Sequence, residues 1–163
     1  MKFTTKTEYG LVCLVYMARA VSKGWVRIHD IAEKERFSLP YIEKIVQKLR
    51  AASIVVSHQG KLGGYSLARQ PSEITLKEII EALEGSTFDI YCQPKIREHI
   101  VCTHFCMCGI RPVWAKTKEL LDKFYASVTL EMIAKEERGA LASIKGAQKK
   151  EAEEILAAGA RQG

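Results

Sequence analysis

The stretch from Ile28 to Ala68 narrows the possible folds more than any other part of the chain, because two helical segments give way within it to a pair of strands. Ile28-His29-Asp30-Ile31-Ala32-Glu33-Lys34 has the spacing of a short amphipathic helix. Phe37-Ser38-Leu39-Pro40 interrupts it, and Pro40 suits the first turn of a new helix, where a missing N–H costs little. That second helix is predicted over Leu39 to Ala51, with an apolar stripe of Tyr41/Ile42, Ile45/Val46 and Leu49. Glu43, Lys44, Gln47, Lys48 and Arg50 lie opposite. Ile54 to His58 then reads as a strand, Gln59 to Gly64 as a glycine-rich turn, and Tyr65 to Ala68 as the returning strand, with Pro71 closing the unit. Two short helices joined by a tight turn and followed at once by a hairpin make a winged helix-turn-helix.

Charge agrees with that geometry. The chain has 163 residues and a net charge of +6. Residues 1–70 hold twelve Lys or Arg against five Asp or Glu, and the remainder holds thirteen against fourteen. An excess confined to one segment points to a polyanionic partner, with a solvated basic surface as the plain alternative. In a helix of this kind one face anchors on the core while the other presents polar and basic groups to the major groove. Tyr41, Ile45 and Leu49 are the predicted anchors, with Ser38 and Tyr41 at the helix start also placed at the DNA. Gln47 can read adenine and Glu43 can accept from cytosine N4, with Lys44 beside them. Lys48, Arg50 and Lys61 suit phosphate contacts, which position the protein without specifying sequence. The alternative for Glu43 is a pair with Gln47 or a surface lysine. In the wing, His58, Gln59 and Lys61 are the reaching side chains, and Gly60, Gly63 and Gly64 allow close backbone approach.

Around this unit, Thr5-Lys6-Thr7-Glu8 fits a capping box with Thr5 as N-cap, and Tyr9 to Val21 is apolar on nearly every face, as in a buried helix with Gly24 after its end. Thr75-Leu76-Lys77-Glu78 is a second capping box, opening a helix through about Leu83 that Gly85 stops. From Ser86 to Gly109 no period is evident. Arg111-Pro112 starts a long helix with the stripe Val113, Thr117, Leu120/Leu121, Phe124 and Val128. A helix projecting from a small domain needs cover for such a stripe, and a second copy of the chain is the simplest cover. Thr129 is placed as the cap of a short helix, Leu130 to Glu136, and the tail from Arg138 reads as a frayed helix or as disordered. The expected fold is mainly α with a small β-hairpin wing: a DNA-binding domain over 1–84, a cysteine-bearing loop over 85–110, a dimerisation helix with a short following helix over 111–137, and a tail over 138–163.

Four of five cysteines, Cys92, Cys102, Cys106 and Cys108, fall within 17 positions. The N-terminus has no apolar run after its basic residues, and no stretch nearby is long enough to span a bilayer, so a cytoplasmic protein without a disulfide framework is expected. A metal site or a redox thiol site is then the reading for the cluster. The paired C-x-x-C spacing usual for zinc is missing. No G-x-S-x-G, P-loop, dinucleotide fingerprint or histidine-paired nucleophile points to an enzyme. Cys13, in an apolar helix, is expected to be inert core.

The opening Met1-Lys2-Phe3-Thr4-Thr5-Lys6 with Tyr9, Ile31-Ala32, Ser38-Leu39-Pro40-Tyr41-Ile42-Glu43, the wing Gly60-Lys61-Leu62-Gly63-Gly64-Tyr65 and Thr129-Leu130 together resemble the Rrf family of winged-helix regulators, over about residues 1–136. The resemblance implies a homodimer with crossed long helices on a roughly palindromic double-stranded operator. It also implies an iron–sulfur cluster, [4Fe–4S] or [2Fe–2S], on Cys92, Cys102 and Cys108, answering to iron, redox state or nitric oxide. The spacing from Cys92 to Cys102 is longer than the family's, and Arg111 stands where IscR-like members place a histidine ligand. As in NsrR-like members, Glu8 from the partner subunit is the candidate fourth ligand, with Cys106 its competitor and His99 and His104 further donors in the same loop. A metal-free thiol switch on the same fold is the alternative, and some cluster-free members bind another protein instead.

Overall fold

The computed structural model describes residues 4–20, 22, 24–60, 63–89 and 107–159. The chain order is α1 (Thr5–Arg19), α2 (Ile28–Glu35), α3 (Leu39–Ala51), β1 (Val55–His58), β2 (Gly64–Leu67), a 3-10 turn (Pro71–Glu73), α4 (Leu76–Glu84), α5 (Ile110–Ser127), α6 (Leu130–Ile133) and α7 (Glu137–Gly159). The helix-turn-helix and its wing follow the bounds read from the sequence to within a residue or two. Pro40 sits in the first turn of α3, as its fixed φ requires. Strands β1 and β2 pair antiparallel in the register Val55↔Leu67 to His58↔Gly64. The wing also has a third partner that the sequence did not announce. Val26 bridges Tyr65 with both backbone bonds at 2.8 Å, so the segment between α1 and α2 pairs with β2 and holds the wing from its other edge.

A single core joins these elements. Ile42, Ile45, Val46 and Leu49 of α3 are each no more than 1% exposed and meet Cys13 and Leu14 of α1, Ile31 of α2 and Ile79 and Leu83 of α4. Burying side chains of this size stabilises by roughly 1.5–3 kcal/mol each. Leu130 of α6 is fully buried in the same cluster. Its N–H bonds Ile74 O and the Leu76 N–H bonds Val128 O, both at 2.8 Å, around a Thr75–Thr129 bridge. The end of α5 and the short α6 are therefore stitched into the DNA-binding domain rather than hung from it.

Local signals decide the helix ends in some places and fail in others. At α4 the capping box forms as read: Thr75 Oγ1 accepts from Glu78 N and the Glu78 carboxylate accepts from Thr75 N–H at 2.8 Å. Gly85 follows with φ 94°, a conformation that stops the helix and that side chains with a Cβ avoid. At α1 the expected box is absent. The N-cap is Thr4, not Thr5, and its hydroxyl makes no cap bond but donates to Glu84 instead. α6 ends at Ile133, short of the expected Glu136, and Thr129 makes no side-chain cap. The tail forms a helix over Glu137–Gly159, the helical one of the two alternatives read for it. Its Ala, Lys, Glu and Leu content favours helix without needing an apolar stripe. Among the described residues no helix is long and apolar enough to cross a membrane.

Candidate nucleic-acid interface and cysteine segment

The recognition helix α3 is two-faced. Its core face is fully buried, while Glu43, Lys44, Gln47 and Lys48 are exposed and none of their side chains makes a hydrogen bond or ion pair with a described residue. Among the described residues, Glu43 is therefore paired neither with Gln47 nor with a lysine of the helix surface. Ser38 is the N-cap, exposed, and its hydroxyl leaves the helix uncapped. Tyr41 does not anchor with Ile45 and Leu49. It is 37% exposed, with its ring edge-on to Tyr9 at 6.0 Å, and Ile42 and Val46 take the buried positions. Tyr9 in turn stacks on Phe37 at 3.8 Å, so a short aromatic column supports the start of α3.

Two residues read as reaching toward a ligand are engaged within the protein. Arg50 donates from Nη1 to Ser57 Oγ at 3.4 Å, linking the end of α3 to β1. His58 Nε2 lies 2.8 Å from Ser66 Oγ on the opposite strand. Gln59 is exposed at the wing tip, and Gly63 N–H bonds Gly60 O at 2.9 Å within the turn. Lys61 and Leu62 lie outside the described residues.

Of the cysteine segment, the structure describes the two ends. Cys92, Cys102, Cys106, His99 and His104 lie outside the described residues. Cys108 is a free, half-buried thiol one residue before Gly109, the N-cap of α5. Cys13 is fully buried, and burial pushes its thiol up to about 12. It belongs to the core and is no ligand or nucleophile. Among the described residues, no three His, Cys, Asp or Glu side chains converge as a metal site would require. Glu8 is exposed and, without the expected capping box, its carboxylate is unengaged by any described residue. Free oxygen and sulfur donors at Glu8 and Cys108 fit ligation, which needs both groups available.

Two polar clamps that the sequence did not reveal hold the root of the segment. In the first, the Glu84 carboxylate accepts from Thr4, from Thr7 Oγ1 at 2.6 Å and from Lys6 Nζ at 3.0 Å. Burial pushes this carboxyl up, but the hydrogen bonds from Thr4, Thr7 and Lys6 outweigh it and hold it at about 2. The last turn of α4 is thereby fastened to the first turn of α1, the turn that carries Glu8. In the second, buried Thr87 donates to Asp122 of α5, and Lys118 Nζ bonds Thr87 at 3.2 Å and Asp122 at 2.8 Å. Burial pushes the Asp122 carboxyl up, and its bonds from Lys118 and Thr87, with Lys77 nearby, bring it below the usual range. Phe88 packs toward Trp114 with centroids 6.1 Å apart. Along α5, Ile110, Val113, Trp114 and Leu120 are 44–60% exposed, an apolar face that the described residues leave largely open.

Comparison with known proteins agrees with this geometry. A family profile described as "Rrf2: Iron-dependent Transcriptional regulator" matches residues 3–136. The chain is 31% identical over 130 residues to protein rrf2 of Nitratidesulfovibrio vulgaris, covering 80% of this chain and 85% of that one. It is 30% identical over 135 residues to the HTH-type transcriptional regulator IscR of Xenorhabdus nematophila, covering 83% and 80%. Among solved structures, CymR, the global cysteine regulator of B. subtilis, superposes with a TM-score of 0.68 at 29% identity, over 82% of this chain and 96% of that one.

Proposed function

Because the chain belongs to the Rrf2 family of transcriptional regulators, we propose that it is a cytoplasmic, homodimeric repressor whose operator binding is controlled by an iron–sulfur cluster. Family membership implies DNA binding, and the work is recognition rather than catalysis. The observation that carries the reading is the division of α3: a fully buried face locks the helix to the core while Glu43, Lys44, Gln47 and Lys48 are left without partners.

In this reading α3 lies in the major groove, with Gln47 to adenine N6/N7 and Glu43 to cytosine N4. Ser38, Lys44 and Lys48 hold the phosphates beside it. The wing, with Gln59, Lys61 and the glycine turn at Gly63, follows the neighbouring minor groove. Arg50, through Ser57, ties the wing to α3 and sets its angle, while His58, through Ser66, fastens the two strands of the wing to each other. Two copies meet along the exposed face of α5, which fixes the separation of their two recognition helices and hence of the half-sites.

Cys92, Cys102 and Cys108 would hold the cluster, with Glu8 of the partner subunit or Cys106 completing it. When bound, the cluster supplies a centre that responds to oxidation, nitric oxide or iron loss. Everything downstream is done by the chain. The segment leaves α4 at Gly85 and is clamped by Glu84 to α1 and by Thr87 to Asp122 of α5. A change of shape between residues 90 and 106 therefore pulls on both helices that border the subunit contact. Such a ligand biases DNA affinity only to the extent that it prefers one arrangement of the pair.

The test is operator binding at constant salt by protein purified without oxygen, before and after iron chelation, with iron and sulfide assays on the same sample. The reading expects iron and sulfide in cluster stoichiometry and a change in affinity on chelation. Unchanged affinity sinks the cluster control. The likeness to CymR favours a second reading, a metal-free thiol switch using the same cysteines. Colourless protein that resists reconstitution, yet loses or gains affinity on oxidation, would select it.

A further inference from the structure

The turn between α2 and α3 holds a side chain that the turn itself does not need. Arg36 closes α2 in the left-handed region, with φ 57° and ψ 38°. The conformation has a packing role: it sends the Phe37 N–H back to Ala32 O at 2.8 Å and places the Phe37 ring under Tyr9. Arginine has none there. A Cβ crowds the carbonyl in this conformation, which is why glycine ordinarily closes helices in it. The Arg36 side chain is exposed and has no hydrogen bond or ion pair with any described residue. An unpaired cation thus sits on a strained pivot, two residues before the N-cap Ser38. That is the end of α3 that a helix-turn-helix pushes into the major groove, past the phosphates on its rim.

We propose that Arg36 is a phosphate-anchoring residue: its guanidinium grips the DNA backbone beside the N-terminus of α3 and sets how deeply the helix enters the groove. The rigid turn suits this task. Phe37 is stacked and the Arg36 backbone is held in the turn, so the Cα is already in place and only the side chain has to be ordered when the guanidinium meets a phosphate in its forked geometry. The proposal rests on the DNA-binding reading but is independent of the cysteines.

The experiment compares Arg36→Gly, Arg36→Gln and wild type for binding to a random-sequence duplex of about 30 base pairs by fluorescence anisotropy, titrated with salt, alongside thermal melts. Arg36→Gly is expected to melt no lower than wild type, and up to about 3 °C higher, because strain is relieved. Its affinity is expected to fall about 3–10-fold, with the salt slope reduced by about 1.8 for the homodimer, the value of one phosphate contact from each protomer. Arg36→Gln should show the same smaller slope. Ser53, also at φ 57° but beyond the far end of α3, is the control. Ser53→Gly should relieve similar strain and leave both affinity and slope unchanged. Wild-type affinity and slope in a folded Arg36→Gly or Arg36→Gln protein would overturn the proposal alone. A wild-type protein without salt-dependent duplex binding would overturn the regulator reading and the proposal with it.

Discussion

Replacing Gly64 with alanine should loosen the wing without unfolding the domain. A Cβ there would lie 2.6 Å from Val26 O and 2.6 Å from Trp25 Cε3, whereas ordinary contact begins at 3.4 Å. Trp25 is 38% exposed and its ring can swing aside. Val26 O cannot, because it accepts the Tyr65 N–H at 2.8 Å. Making room means a separation of roughly 0.8 Å, which carries that bond and its return bond past useful hydrogen-bond distance. Two backbone bonds at about 0.5–1.5 kcal/mol each are then lost. Alanine's smaller unfolded-state entropy offsets about 0.4–1 kcal/mol. The net loss is about 1–2 kcal/mol, a fall in Tm of roughly 3–8 °C for a protein this size. Hydrogen exchange monitored by NMR is the sharper assay, since the Val26 and Tyr65 amides should exchange about 5–30-fold faster while the α3 amides keep their rank. If those two amides stay as protected as in wild type, the bridge does not hold the wing and the reasoning fails.

Other perturbations test other parts of the account. Glu84→Gln should lower stability by about 1–2 kcal/mol at neutral pH. The Glu84 carboxyl sits at about 2, below its ordinary value, so it stabilises above about pH 4.5, and this is lost as pH falls toward 2. Denaturation midpoints of variant and wild type should therefore converge between pH 5 and 2, and a constant gap would disprove the clamp. Leu130→Ala removes a fully buried side chain and should cost about 2–5 kcal/mol in urea unfolding, whereas an appended α6 would give a change near zero. Gln47→Ala, assayed on operators varied one base pair at a time, should flatten the preference at a single position by about 1–3 kcal/mol. An equal loss at every position would make Gln47 a backbone contact.

How much was legible in the residues depended on how far apart the interacting groups lie. The bounds of α3 came from Pro40 and a four-residue apolar rhythm, and the start of α4 from a box whose two members are three residues apart. Both signals are complete within one turn of helix. Thr5 and Glu8 offered the same local signal and it did not form, because Glu84, about 80 positions away, captures Thr4 and Thr7 and shifts the helix start. No pattern near Thr4 announces that partner. The exposed row on α3 was readable from its period, but the engagement of Arg50 by Ser57 and of His58 by Ser66 depends on how the wing folds back. A single-residue strand at Val26 has no period at all. The helix at Glu137–Gly159 was legible only as one of two alternatives, because its intrinsic helix preference comes with little amphipathic contrast.

The seam at Thr75 and Thr129 makes α5 a beam fixed at both supports. One end is seated through Val128 and Leu130 in the core, the body is tied through Asp122 to Thr87, and Trp114 near the other end packs toward Phe88. A beam fixed in this way cannot pivot on its own domain. In the proposed homodimer, torque along α5 would be delivered to the hydrophobic centre beneath α3 rather than dissipated in a linker. Two copies joined through such beams would behave as a stiff caliper, the gap between its jaws set by the angle at which the two α5 helices cross.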